Sequence, residues 1–273
     1  MLKVIAFLAL TFPLMPVQAL ALVLWRDFAR RLPGIYHRII ARIMGVDLVV
    51  TGVPVGKAPV LFIGNHVSYL DIIVLSAAVD GSFVAKAEIA GWPLFGWLAK
   101  LQRTIFIERR SRHVRVQRDE IGMRLEAGDN LFLFPEGTSN DGTHVRPFKS
   151  ALFAVAERKV ADQALIVQPF SIAYTRLDGL PIGRDWRPLY AWYGDMELPG
   201  HIWRLLGLGR VRADLIFHDP VAFDTFGTRK ALADHCWRVV ADGVARANSG
   251  APAPVALPAA PLAPVASPSV DPT

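Results

Sequence analysis

The stretch Pro59-Val-Leu-Phe-Ile-Gly-Asn-His-Val-Ser-Tyr-Leu-Asp71 passes from an apolar run into a polar turn and then into a helical pattern. Its first part, Val60 to Ile63, is short and continuously apolar, as in a strand that is buried on both faces. Residues 70–79 have the length and apolar content of a helix. His66 and Asp71 therefore lie where a strand gives way to a helix, and their side chains can meet at such a turn.

A His–Asp pair at this turn is typical of general-base chemistry, because the carboxylate fixes the tautomer and orientation of the imidazole. Ser68 is the nearby residue that could serve as a nucleophile. The structural alternative is equally open at this point. Asn65 and Ser68 are common turn and capping residues, and His66 would then be an ordinary polar residue at the start of a helix.

Short apolar runs alternate with helical patterns along the rest of the chain. This alternation predicts an α/β fold around a largely parallel sheet flanked by helices. Strands are predicted at 47–51, 60–63, 82–85, 104–107 and 130–134, and helices at 70–79, 88–100 and 113–127. Further strands are expected at 165–174, 189–194 and 212–218, followed by a closing helix over 228–246.

The amino-terminal segment, residues 4–25, carries no charged side chain and is long enough as a helix to enter or cross a bilayer. Pro13 and Pro16 predict a kink in it. A cleaved signal peptide is the alternative, because Lys3 precedes the run and Val17-Gln-Ala19 loosely resembles a cleavage site. The basic flank that follows favours an uncleaved anchor, because such a flank stays on the cytoplasmic side.

The segment after this anchor sets the expected organisation of the chain. Its five basic residues face one acid, Asp27; they are Arg26, Arg30, Arg31, Arg38 and Arg42. We therefore expect an N-terminal hydrophobic membrane-anchoring helix within residues 1–31 and a domain over 32–247 that faces the cytoplasm at the cytoplasmic membrane. Residues 248–273 are rich in Pro and Ala and are expected to form a disordered tail.

Composition points to the same setting. Hydrophobic residues make up 52% of the chain and the formal net charge is +6, which fits an apolar segment in lipid and an anionic partner. Composition does not choose between a membrane and a nucleic acid, but no recognised nucleic-acid module appears and the arginines cluster beside the anchor. We expect no metal, because the single Cys236 excludes a cysteine-rich zinc site and no H-E-x-x-H pattern occurs.

Polar residues follow two later predicted strands. The run Phe106-Ile-Glu-Arg109 puts a guanidinium at the carboxyl end of a strand, where its planar fork can bind a phosphate or carboxylate. In Phe134-Pro-Glu-Gly-Thr-Ser-Asn140, Gly137 lets backbone amides approach a ligand and Thr138 adds a hydroxyl. Glu136 adds a carboxylate that can hold a ligand hydroxyl or organise nearby cations.

Two flanking regions complete the candidate site. Arg146 and Lys149 come just before a predicted helix that begins at Ser150, whose amino end could face an anion. The segment from Lys86 through residue 97 is rich in aromatic residues, which suits a membrane interface or an apolar groove as well as simple core packing.

Four motifs in order resemble the four blocks of the glycerolipid acyltransferase family, which includes the 1-acylglycerol-3-phosphate acyltransferases. They are Asn65-His66-x-Ser68-x-x-Asp71, which is the HX4D motif, Phe106-Ile-Glu-Arg109, Phe134-Pro-Glu136-Gly137-Thr138 and Val167-Gln-Pro169. The pattern Lys86-x-Glu88 with Pro93-x-x-Gly96 resembles the segment between blocks one and two. The resemblance covers about residues 45–220.

The resemblance implies a membrane-bound enzyme of lipid biosynthesis. His66 would take the proton from the hydroxyl of a lysolipid as it attacks the thioester of an acyl-CoA or acyl carrier protein, and Asp71 would orient the imidazole. The thioester is a co-substrate, and no cofactor is expected. The acceptor head group would be held by Arg109, Glu136, Gly137 and Thr138, with Asn65, Ser68, Lys86, Ser139, Arg146 and Lys149 as possible auxiliary residues.

Departures from the family pattern leave the acceptor open. Ser139 stands where the third block usually has an arginine, the second block has Arg103-Thr104 where a glycine is common, and Glu108 replaces an aspartate. The run from Glu136 to Gly142 resembles a bacterial branch that includes acyltransferases acting on lyso-ornithine lipid. We therefore expect an acceptor of the 1-acylglycerol-3-phosphate type, with lyso-ornithine lipid as the alternative and a non-catalytic lipid-binding membrane protein as the remoter alternative.

Overall fold

The computed structural model describes residues 1–56, 59–108, 114–160 and 163–251. Its helices are α1 (Leu2–Leu24), α2 (Arg26–Met44), α3 (Leu70–Ala78), α4 (Phe95–Leu101), α5 (Val114–Glu126), α6 (Leu198–Leu206) and α7 (Arg229–Ser249). Its strands are β1 (Val46–Thr51), β2 (Val60–Gly64), β3 (Ser82–Lys86), β4 (Ile105–Ile107), β5 (Leu131–Leu133), β6 (Lys159–Val160), β7 (Gln163–Ala164), β8 (Ile166–Leu177), β9 (Leu180–Pro181), β10 (Val211–Phe217) and β11 (Val221–Ala222).

The main sheet has the strand order β1-β10-β8-β2-β5-β3-β4. Neighbouring strands in this order are parallel, except for β10 and β8, which are antiparallel. The short strands β9 and β11 pair with β8 in antiparallel fashion. The prediction of an α/β fold with a largely parallel sheet is therefore confirmed.

β2 lies at the centre of this sheet and is buried along its whole length, which explains its continuous apolar sequence. Its alternate side chains enter two separate cores. Phe62 packs on one face with residues of α2 and α3, whereas Leu61 and Ile63 pack on the other face with residues of α7. The sheet thus forms the middle of three layers, and the end of β2 lies inside the molecule.

α1 lies against the domain along one face. Thr11 Oγ1 is 2.8 Å from the Tyr36 hydroxyl of α2, and the Gln18 amide donates to the carbonyls of Ala29 (2.9 Å) and Leu101 (3.0 Å). The opposite face exposes apolar side chains, among them Ile5, Phe12, Leu20, Val23 and Leu24. Among the described residues, α1 is the helix long and apolar enough to cross a membrane.

Helix α2 contains the arginines of the basic flank that follows the predicted anchor. Its apolar positions Ile40, Ala41 and Met44 pack into the core, while most of its arginines lie on the outer side. The arginines therefore mark the outer face of an amphipathic helix as well as a charge bias.

Three predicted elements are wrong in detail. The helix expected at 88–100 is a 3-10 helix, Ala87–Gly91, followed by α4, because Pro93 interrupts it and Leu94 adopts a positive φ of 58°. The strand expected at 189–194 is absent from this described stretch. The amides of Tyr190 and Ala191 bond to the carbonyl of Arg187, so they are not available to a sheet. The helix expected from Ser150 is a 3-10 helix, Ser150–Glu157.

The closing helix and the late strands agree better with expectation. α7 begins after Thr228, whose hydroxyl accepts a hydrogen bond from the amide of Ala231 at 3.2 Å, as an N-cap does. β8 and β10 cover the strands predicted at 165–174 and 212–218. Most of the predicted Pro- and Ala-rich tail, residues 252–273, lies outside the described residues.

Candidate active site

The loop between β2 and α3 carries His66 and is anchored from below by Asn65. The Asn65 side chain donates to the carbonyl of Ile172 (2.8 Å) and accepts from the amide of Ile172 (2.9 Å), so it bonds to β8 as a neighbouring strand would. At Gly64 the chain passes so close to Phe170 that a Cβ atom would lie 2.3 Å from the phenylalanine ring. Glycine is therefore required where β2 turns toward the site.

His66 and Asp71 meet as their spacing predicts. His66 Nδ1 lies 2.8 Å from Asp71 Oδ2, which also accepts from the amides of Val67 (2.7 Å) and Ser68 (3.0 Å). Asp71 Oδ1 accepts from the hydroxyl of Tyr174 at 2.8 Å. Asp71 is fully buried. An ionised carboxylate only accepts hydrogen bonds, so Asp71 Oδ2 favours a proton on His66 Nδ1. This leaves Nε2 as the basic nitrogen of the ring.

The His66 ring is held on its face as well as at its edge. It stacks on Phe134 with ring centroids 4.2 Å apart and planes 15° apart. Its side chain is 22% exposed. Ser68 is completely buried and contacts Asp71 through its amide, so its hydroxyl lies below the surface that a substrate can reach.

Glu136 joins the HX4D loop to the loop that follows β5. Its Oε1 accepts from the amide of His66 at 2.9 Å, and its Oε2 accepts from the Asn140 side chain and from the amide of Arg146, the latter at 3.0 Å. The amide of Asn140 in turn donates to the carbonyl of His66 at 3.0 Å. Burial raises the pKa of Glu136, and these donors act in the opposite direction. Both oxygens of Glu136 are thus bonded to the two loops.

An apolar cavity of about 430 Å³ opens beside His66. Gly137, Thr138 and Ser139 line it on the side of the β5 loop, and Lys86 lines it near the end of β3. The rest of the wall is mostly apolar and comes from α1, α2, α3, the 3-10 helix Ala87–Gly91, α4 and the segment before α6; it includes Phe7, Leu14, Met15, Ile40, Ile73, Ile89, Phe95 and Trp192. Polar side chains of α1 and α2 also reach it, among them Thr11, Gln18, Tyr36 and His37. The cavity is therefore a mainly apolar chamber that opens beside the imidazole.

The predicted site residues differ in where the structure places them. Cavity-lining residues are His66, Lys86, Gly137, Thr138 and Ser139. Buried supporting residues are Asn65, Ser68, Asp71 and Glu136. Arg146 and Lys149 are exposed. Lys149 is close to the cavity, because its Nζ lies 2.5 Å from the position of a Cβ built on Gly137. Arg109 lies outside the described residues.

Sequence reasoning missed two residues that hold this arrangement. Tyr174 bonds to Asp71 from β8, and Asn140 bonds to Glu136 within the third motif. The local pattern does not single out Tyr174, because its alternating row in β8 also contains the polar Gln168. The fourth motif supports the fold instead of the chamber, because the Gln168 side chain bonds to the backbone of Val53, Val55 and His218.

Comparisons with known proteins agree with the order of the motifs. A family model described as Acyltransferase matches residues 44–173. The lyso-ornithine lipid O-acyltransferase of Brucella abortus (strain 2308) is 46% identical over 238 residues, which cover 85% of this chain and 88% of that protein. The enzyme of the same name from Rhizobium meliloti (strain 1021) is 40% identical, over 81% of this chain and 77% of that protein.

A second group of relatives is named for a different acceptor. The 1-acyl-sn-glycerol-3-phosphate acyltransferase of Neisseria meningitidis serogroup B is 33% identical over 67% of this chain and 70% of that protein. Among solved structures, the 1-acyl-sn-glycerophosphate acyltransferase PlsC from Thermotoga maritima superposes with a TM-score of 0.64 over 88% of this chain and 90% of that chain. At 23% sequence identity this likeness shows a shared fold.

Proposed function

The chain belongs to the glycerolipid acyltransferase family, and we propose from this that it moves a fatty acyl group from a thioester donor to the hydroxyl of a lysolipid, with lyso-ornithine lipid as the acceptor. The observation that carries the proposal is the position of His66. Its Nδ1 is held by the buried Asp71, and its ring lines an apolar chamber large enough for part of an acyl chain. A base next to an apolar chamber suits proton transfer from a lipid hydroxyl.

The proposed reaction needs no protein nucleophile. Nε2 of His66 takes the proton of the acceptor hydroxyl while that oxygen attacks the thioester carbonyl carbon. The tetrahedral intermediate then expels the thiolate by cleavage of the C–S bond, and the imidazolium returns the proton to the sulfur. Asp71 stabilises the transient imidazolium, because its buried carboxylate contacts His66 Nδ1 directly. The donor is an acyl-CoA or an acyl carrier protein thioester.

Glu136 contributes to this reaction as a support for the loops. Its oxygens are bonded to the backbone of His66 and Arg146 and to the Asn140 side chain, and it is 3% exposed. The head group is received in this proposal by the cavity-lining Gly137 and Thr138, with Arg109 as the guanidinium that the family resemblance implies. Gly137 has a φ of +71°, which turns the backbone at this point of the chamber wall.

Two observations favour lyso-ornithine lipid over 1-acylglycerol-3-phosphate. Relatives of up to 46% identity carry the lyso-ornithine name, whereas the Neisseria relative named for glycerol phosphate is 33% identical. Ser139 lines the chamber where family members usually have an arginine, so one phosphate-binding charge is missing. Lys149 remains close to Gly137 and offers a single cation to the carboxylate of an amino-acid head group.

The same proposal places the enzyme on the cytoplasmic membrane with its domain in the cytoplasm. The exposed apolar face of α1 and the arginines of α2 support this, because one contacts acyl chains and the other contacts anionic head groups. The inner face of α1 lines the chamber, so a lipid acceptor and an acyl chain can enter from the bilayer without crossing water.

The test offers the purified full chain, in vesicles, both acceptors side by side with acyl-CoA and with acyl carrier protein. We expect transfer to lyso-ornithine lipid to exceed transfer to 1-acylglycerol-3-phosphate by at least tenfold. His66→Ala should lower turnover by at least a hundredfold, because general-base catalysis contributes about 10² to 10⁴.

His144→Ala is the matched control. His144 is exposed, and it lies in the loop after β5 that contains the third motif. It should keep wild-type turnover. Transfer by a folded His66→Ala variant at the wild-type rate would remove His66 as the base. Equal or greater use of 1-acylglycerol-3-phosphate would overturn the proposed acceptor.

A further inference from the structure

The phenol of Tyr174 lies beneath the His66–Asp71 pair and exchanges no proton in the proposed reaction. Its hydroxyl donates to Asp71 Oδ1 at 2.8 Å, on the oxygen that His66 does not contact. We propose that Tyr174 is a positioning residue, which holds the Asp71 carboxylate so that its other oxygen meets His66 Nδ1. The inference rests on the proposed role of His66 as the base.

The carboxylate needs such a restraint. The terminal torsion of an aspartate is broad, so backbone placement alone does not fix the directions of its two oxygens. Oδ2 accepts from His66 Nδ1 and from the amides of Val67 and Ser68, whereas Oδ1 accepts from Tyr174. Without the phenol, a fully buried oxygen would lose its protein donor, and the carboxylate could relieve this by rotating away from His66.

The surroundings of Tyr174 hold its side chain in one orientation. Its ring stacks on Tyr190 with centroids 6.0 Å apart and planes 18° apart, and Tyr174 is 5% exposed. Burial and the nearby charge of Asp71 raise its pKa well above the ordinary value, so the phenol keeps its proton and remains a donor.

A local irregularity in the sheet lies directly beside this side chain. Ala213 of β10 pairs with Tyr174, and the adjacent Arg212 pairs with Arg176, so Thr175 of β8 is an extra residue between two pairs. Such a bulge bends its strand and redirects the side chains beside it, and bulges are frequent next to active sites. Residues 170, 172 and 174 of β8 all reach the same core, and Tyr174 brings the hydroxyl of that row to Asp71.

The effect of losing this hydroxyl follows from the position that it maintains. A carboxylate that rotates away from the ring stabilises the imidazolium less, so His66 holds its proton less tightly. The other titratable groups around the pair are Glu136, bonded to the His66 amide, Tyr69, which acts on Tyr174, and Tyr190, stacked on Tyr174. These remain unchanged in a Tyr174→Phe variant, so a change in the titration of His66 reports the missing bond.

The experiment compares Tyr174→Phe with Tyr190→Phe in the full chain. Tyr190 is the matched control, because its ring is the stacking partner and its buried hydroxyl has no hydrogen-bond partner among the described residues. NMR of labelled histidines, with His66→Gln for assignment, follows the His66 ring signal against pH in the absence of substrate. We expect that signal in Tyr174→Phe to titrate at a lower pH than in the wild type, and Tyr190→Phe to match the wild type.

Kinetics supply the second readout, with lyso-ornithine lipid as acceptor. Tyr174→Phe should lower kcat by about tenfold with KM changed less than twofold, and should move the acid limb of kcat/KM to lower pH by the same amount as the NMR titration. An unchanged His66 titration, a shift to higher pH, or an equal shift in Tyr190→Phe would overturn the positioning role. Because the NMR measurement needs no turnover, it remains informative if lyso-ornithine lipid or acyl transfer itself proves wrong.

Discussion

At the scale of single residues, the two buried carboxylates of the site, Asp71 and Glu136, hold different groups in place. Asp71 directs its oxygens at a side chain, the His66 ring, and at its own loop. Glu136 directs its oxygens at the backbone and side chain of two separate loops. The first therefore sets the orientation of the His66 ring, and the second sets the distance between His66 and the wall formed by Gly137 and Thr138.

Gly137 gives a prediction at this scale. Its φ is +71°, and a Cβ atom would lie 2.5 Å from Lys149 Nζ. Gly137→Ala should therefore lower the free energy of unfolding by about 1 to 2 kcal/mol through backbone strain. It should also lower kcat/KM for the acceptor at least fivefold, because the methyl group displaces the Lys149 ammonium. Urea unfolding and acceptor kinetics measure the two effects.

Gly128→Ala separates strain from contact. Gly128 has a φ of +81° and has no atom within 4 Å of a built Cβ, so it shares the strain and lacks the neighbour. It should lose similar stability and keep its kcat/KM. If kcat/KM for the acceptor fell equally in both variants, the Lys149 contact would not explain the effect.

At the scale of elements, the turn from β2 into α3 depends on β8. β2 and β8 run parallel and pair from Val60↔Ile166 to Gly64↔Phe170. Beyond Gly64 the pairing continues through the Asn65 side chain, which bonds to both backbone groups of Ile172. The side chain thus replaces one residue of backbone ladder, and this allows the chain to leave the sheet while its last position remains anchored.

Replacement of Asn65 should mainly affect stability. Asn65→Ala leaves the buried amide and carbonyl of Ile172 without these partners, which costs about 2 to 4 kcal/mol. We expect a lower urea midpoint with an unchanged slope, and lower activity in proportion to the loss of folded protein at a given urea concentration.

Asn130→Ala is the comparison for this element. Asn130 also bonds to two backbone groups, the amide of Val60 (3.2 Å) and the carbonyl of Asp80 (3.0 Å), at a more exposed site. Water can replace those bonds, so we expect a loss of about 1 kcal/mol or less. A smaller loss for Asn65→Ala than for Asn130→Ala would show that the bonds to Ile172 do not support the turn.

At the scale of the whole molecule, α1 is part of the chamber as well as an apolar surface helix. Phe7, Leu14 and Met15 line the cavity, and Gln18 bonds to the carbonyls of Ala29 and Leu101. Lys3 extends the contact to the far end of the domain, where its Nζ donates to the carbonyl of Leu208 at 2.9 Å. The anchor predicted for residues 1–31 therefore contributes inner-face residues to the site.

An exchange of helices tests this double role. When residues 2–24 are replaced by an unrelated membrane-spanning helix of equal length, we expect vesicle binding to persist and acyl transfer to fall at least tenfold, because the new inner face does not rebuild the chamber wall. Flotation with vesicles and turnover measure the two properties separately.

The matched control changes only the outer face of α1, through Phe12→Leu, Leu20→Ile and Val23→Leu, all at exposed positions. This variant should keep both binding and turnover. Wild-type turnover in the exchanged protein would show that α1 serves as an anchor alone.

The sequence by itself determined the local parts of this protein. The apolar run of β2, the His–Asp spacing, the helix after it and the alternation of strands and helices all depend on neighbours along the chain, and the order of four motifs identified the family. Short apolar runs were ambiguous, as at 189–194, because the sequence does not state where the amides of Tyr190 and Ala191 find their partners.

Only the tertiary structure decided what surrounds the His66 ring. Tyr174 reaches Asp71 from 103 residues away, and Glu136 reaches the His66 amide from 70 residues away. The wall of the chamber joins α1 to the β5 loop across more than a hundred residues of chain. Such contacts depend on strand order and on a bulge in one strand pair. These arise from packing between distant segments, so the local pattern could predict the His–Asp pair but not the hydroxyl that holds it.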